Sequence, residues 1–115
     1  MINLTYKQET FIKDAIYIKL NNLNTHLTQI QSLSQDTGNN EIVKSLIRET
    51  MYFIEWITPD VEFDHAFELA NLGRFLSRWL FSVEGWNNTD IKNQFIQELV
   101  TWNDCILEMS KLRDA

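Results

Sequence analysis

The chain has 115 residues, 44% of them hydrophobic and 12% aromatic, and carries a formal net charge of −6. That is one domain's length with enough apolar mass for a real core, which excludes a disordered chain. The acidic balance argues against nucleic-acid binding, because gripping phosphates needs a basic surface.

One proline and three glycines leave little punctuation, which suits a few long helices better than many short strands. The single cysteine, Cys105, excludes an internal disulfide framework and a cysteine-based zinc site. The first residues hold no basic stretch followed by an apolar one, so no secretory signal is expected. No window approaches eighteen apolar residues, so no membrane span is expected and the chain is read as cytoplasmic.

In chain order, Thr5 to Gln8 fits a capping box, and a first helix is expected over about 6–33. Its seam is Ile12, Ile16, Leu20, Leu23, Leu27 and Ile30, at intervals of three and four. The polar run 34–40 reads as a loop, with Asn40 capping a second helix over 41–57. Ile42, Leu46, Phe53 and Ile57 form that helix's expected inner line, widened by Val43, Ile47 and Ile54. Thr58 and Pro59 read as a fresh start, cap then first-turn proline, for a third helix over 59–84 that stops at Gly85.

The stretch from Val61 to Val83 is apolar round most of its circumference and is expected to be the central helix, covered on several sides. Ala66, Ala70, Gly73 and Ser77 mark a line where a neighbouring helix can approach closely. Asn88 or Thr89 caps a last helix over 89–112, whose inner line is Ile91, Phe95, Leu99, Trp102, Ile106 and Met109. Ile96, Val100 and Leu107 widen it. The expected fold is a single all-α domain over 1–115, an antiparallel, up-down-up-down four-helix bundle, completed by dimerisation if the broad apolar arcs need further cover.

Chemistry finds few footholds. Glu62 and His65 form one Glu-x-x-His pattern, which would place a carboxylate and an imidazole on one helix face. Di-iron bundles use that pattern twice, so a metal or small-ligand site at Glu62 and His65 is an alternative and no cofactor is expected. His26 is placed too far along the bundle to share such a site. Cys105, beside Trp102 and Ile106, reads as a packed thiol. There is no nucleophile-elbow pattern, no glycine-rich phosphate loop, and no arginine followed closely by histidine as in helical nucleases. A non-enzyme is expected.

Arg74 and Arg78, one turn apart, would clamp an anion or pair with acids such as Glu49 or Glu55. The acids Glu55, Asp60, Glu62, Asp64 and Glu68 offer a surface to a basic protein. Apolar residues left outside the core point the same way: Phe11 and Ile18 on the first helix, and Tyr52 and Trp56 on the second, the aromatic kind that interface hot spots use. The expected function is therefore a protein-binding module acting through Tyr52, Trp56, Glu55, Asp60, Phe11 and Ile18, with a homodimer as the first partner. Small acidic helical inhibitors, immunity- and antitoxin-like proteins and adaptors share this description by fold-level analogy alone. A structural subunit of a larger assembly is a further alternative.

Overall fold

The computed structural model describes residues 16–114, with side-chain surroundings through residue 110. The capping box at Thr5–Gln8, and the expected interface residue Phe11, lie outside the described residues. Within them the chain is all-helical and has no strand. The helices are α1 (Ile16–Leu33), α2 (Asn40–Ile57), α3 (Phe63–Leu80), the single turn α4 (Glu84–Asn87) and α5 (Thr89–Asp114).

α1 follows its seam. Leu20, Leu23, Leu27 and Ile30 are fully buried, and Ile16 is packed against the core from its edge. This helix, rather than α3, lies at the centre, packed against both α5 and α2. α3 leans on α2 and touches α5 only lightly. The reason lies on its surface. Leu69, Leu72, Phe75, Leu76, Trp79 and Leu80 form one buried face, while Phe63, Phe67 and Phe81 stand in solvent.

α2 is turned relative to the expected line. Ile42 is exposed and Leu46 half-buried, and the buried row is Val43, Ile47, Thr50, Ile54 and Ile57 with Phe53 beside it. Thr50 completes that row because its hydroxyl donates to the Leu46 carbonyl at 2.7 Å, so no polar atom is left bare. The helix also begins one residue early. Asn40 does not cap it; its side-chain amide donates to the Trp86 carbonyl and accepts from Lys92. Asn39 instead donates to the Leu33 carbonyl and closes the end of α1.

Thr58 and Pro59 do not open α3. Thr58 ends α2, donating its hydroxyl to the Ile54 carbonyl, and Thr58–Asp60 is a 3₁₀ turn. Val61 is extended, so α3 starts only at Phe63. It also ends at Leu80, four residues before the expected stop, and Trp86 closes it. The Trp86 indole N–H donates to the carbonyls of Trp79 and Leu80, at 3.0 and 3.2 Å. Its ring stacks on Trp79 at 5.2 Å, and Phe95 stacks on Trp79's ring at 5.6 Å. Gly85 allows this crowding, since a Cβ there would lie 3.0 Å from the Phe95 ring and 3.1 Å from Trp79.

Asn88 caps α5, its side-chain oxygen accepting from the backbone N–H of Asp90 and Ile91. Leu99, Ile106 and Met109 are buried on α5 as expected, but Val100 and Leu107 are exposed. Lys92 and Ser110, in line with Leu99 along the helix, are buried as well.

Candidate protein-binding face

The outer side of α3 and the residue after it display three large apolar side chains. Phe63 is 83% exposed, Phe81 76% and Phe67 57%. Burying a phenylalanine removes about 150–250 Å² from water, so the three rings together leave roughly 400 Å² unsheltered, spread along the helix. Next to them lie the small residues Ala70, Gly73 and Ser77, and among the described residues no helix packs closely against Gly73. They line an open groove of about 530 Å³, whose other wall is Met51, Ile54, Thr58 and Pro59 of α2 and the turn that follows it. A Cβ at Gly73 would meet nothing within 4 Å. A second hollow of about 280 Å³ continues past Met51 to Tyr52, Leu80 and Phe81.

Tyr52 stands at the rim, 44% exposed, with its ring stacked on Trp56 at 6.1 Å. Trp56 is half-buried and also packs on Phe53, so it braces Tyr52 from below. Glu55 is exposed and lines both hollows. Asp60 lies elsewhere in character: its carboxylate is 3.6 Å from the buried Lys19 ammonium and ties the turn after α2 to α1. Ile18 is partly exposed on α1 and belongs to no hollow among those lined by α2 and α3.

The arginines do not pair as expected with Glu49 or Glu55. Arg78 makes a two-pronged contact with Glu98 of α5, at 3.0 and 3.1 Å, and lies over the rings of Phe75 and Phe95. Arg74 donates to Asn71 on its own helix at 2.6 Å and borders the groove opposite Glu55. Glu49 faces His26 instead, 3.6 Å from its Nε2. His26 Nδ1 lies 2.8 Å from the Asn22 carbonyl and therefore carries the proton it donates there.

Glu62 and His65 do not lie within one helix. Glu62 is the residue before α3, extended and exposed, while His65 lies inside the first turn and is half-buried. Among the described residues no group of three or more His, Cys, Asp or Glu side chains is placed to hold a metal ion. Cys105 is half-buried, and burial together with the charge of Glu68 pushes its thiol above the ordinary range. No described helix is long and apolar enough to cross a membrane.

The exposed phenylalanines are what sequence reading missed, because the apolar residues of the 61–83 stretch are all expected to be covered. A signal was present. Phe63, Phe67, Ala70, Arg74, Ser77 and Phe81 form one row along the helix, and Arg74 sits in its middle, out of place for a buried face. No family model matches the chain, and neither a curated protein nor a solved structure is similar enough to inform its function.

Proposed function

We propose that this protein is a non-enzymatic protein-binding module that works through the α2–α3 face. The observation that carries the reading is the exposure of Phe63, Phe67 and Phe81 beside a groove of small residues. Leaving rings in water forgoes the main favourable term in folding, about 25 cal/mol per Å². Covering them with another protein recovers it. Tyr52 and Glu55 extend the face, whereas Trp56 serves by bracing Tyr52. Phe11, Ile18 and Asp60 are not needed by this reading.

The architecture behind it is an up-down-up-down four-helix bundle. Lys19 meets Asp60 and His26 meets Glu49, so the start of α1 lies by the end of α2. Arg78 near the end of α3 meets Glu98 in the first half of α5, and Lys92 at the start of α5 lies within reach of the charge of Asp36, just past the end of α1. Each is the pairing expected of neighbours running in opposite directions.

The test compares tagged wild-type chain with Phe67→Glu and Tyr52→Ala variants purified from the native cells, with circular dichroism and mass by light scattering. Wild type should emerge with a stoichiometric protein or at a multiple of its own mass, and the variants should be helical, bare and monomeric. A bare, monomeric wild type, or variants that retain every association, would overturn the reading.

A further inference from the structure

The reading of this face as a protein-binding surface leaves its occupant to be named, and the inference rests on that reading. We infer that the occupant is a second copy of this chain, packed α3 against α3 in opposite directions about a twofold axis at the level of Leu72. Phe63, Phe67, Ala70, Arg74, Ser77 and Phe81 follow at intervals of four, three, four, three and four. That is the seam spacing of two helices wound together, and the row runs about 27 Å at 1.5 Å per residue.

The row is self-complementary when reversed. Turned end for end about Leu72, Phe63 meets Phe81 of the second copy, Phe67 meets Ser77, and Ala70 meets Arg74. Rings close the two ends, and each inner layer sets a bulky side chain against a small one. A twofold contact requires such self-matching, because the same patch serves both partners.

The two flanks of the row agree with it. On one lies Gly73, facing Gly73 of the second copy, with no side chain and nothing within 4 Å, so the backbones can come close. On the other lie Asp64 and Arg78. Reversed, Asp64 of each copy faces Arg78 of the other, giving two opposite-charge pairs. Arg78 is shared with Glu98 yet keeps its side chain 58% exposed. A parallel pairing would instead set Arg74 directly against Arg74 in the seam and is disfavoured on that count.

The roughly 400 Å² of ring surface is about half of the ~800 Å² per partner of a stable interface, and the groove walls and Tyr52 are the surface that would supply the rest.

Sedimentation equilibrium across the micromolar range tests the pairing by charge exchange. Wild type should approach twice its monomer mass. Asp64→Arg alone and Arg78→Asp alone each set like charges against one another in both pairs, and each should weaken association about tenfold or more. Mixing the two variants should restore a dimer of mixed composition, which no general loss of folding imitates. If Arg78→Asp loses helicity with its Glu98 contact, Phe67→Glu and Gly73→Leu test the seam from positions that are open in the monomer. A wild type that stays monomeric, or a dimer indifferent to these changes, overturns the inference. A monomeric wild type that binds another protein through Phe67 ends this inference and leaves the binding-module reading standing.

Discussion

Lys92 and Cys105 show how burial sets the chemistry of single side chains in this fold. Lys92 is 4% exposed, and its ammonium donates to the neutral amide oxygen of Asn40 at 2.9 Å. Burial pushes its pKa below the ordinary 10.5, with the charge of Asp36 pulling partly back. Between that lowered value and 10.5 the unfolded chain binds more protons than the folded one, so stability rises with pH through that window. Below it the fold bears the full cost of the buried charge. Lys92→Met removes that cost. Its stability at pH 7 should equal or exceed wild type's, and its advantage should shrink as pH climbs toward 10.5. Urea unfolding at several alkaline pH values checks this, and an advantage that stays flat with pH would clear Lys92 of the effect. At Cys105 the sign is opposite for reactivity. A thiol held above its ordinary range is scarce in thiolate at neutral pH, so Cys105 should react with a disulfide reagent about tenfold more slowly than free cysteine. Glu68→Gln should quicken it.

The helices differ in how far their environment was legible from their own residues. α1 was legible because its seam holds only leucine and isoleucine at regular intervals, and all four central members are fully buried. On α2 a hydroxyl hid the pattern. Val43, Ile47, Thr50, Ile54 and Ile57 are evenly spaced, but Thr50 reads as polar until its bond to the Leu46 carbonyl is known. On α3 the composition misled, because periodicity reports which residues are apolar and not whether a neighbour exists to cover them. The arginine partners were illegible for a similar reason, since Glu98 lies on a helix whose placement no local pattern fixes. Two glycines make the distinction measurable. Gly73 lies in a helix interior with open space, so Gly73→Ala should stabilise the monomer by about 0.5–1 kcal/mol through backbone entropy. It should at the same time loosen any α3–α3 pairing. Gly85 lies against the Phe95 and Trp79 rings, so Gly85→Ala should cost about 1–3 kcal/mol in overpacking. Denaturant midpoints at low protein concentration separate the two, and effects of equal sign would refute the packing argument.

At the scale of the whole molecule, charge decides between the kinds of partner this face can take. Each copy carries −6, so two copies repel at long range even while Asp64 and Arg78 attract at contact. The repulsion reaches across the molecule when the Debye length is about 30 Å, at 0.01 M salt, and is largely screened when it is about 10 Å, at 0.1 M. The contact pairs lie at the rim of the seam and contribute little to affinity, since exposed ion pairs give about 0–1 kcal/mol each. The apolar seam gains slightly from salt or is indifferent to it. Self-association should therefore tighten as salt rises between those limits. A basic protein drawn to Glu55, Asp64 and Glu68 would behave oppositely, because its attraction to an acidic chain is what salt screens. Dissociation constants from sedimentation at the two ionic strengths give the sign directly. Tightening supports a second copy on the face. Loosening of the self-associated form would mean that charge attraction, and not the phenylalanine row, holds the copies together, and the α3 seam would have to be abandoned.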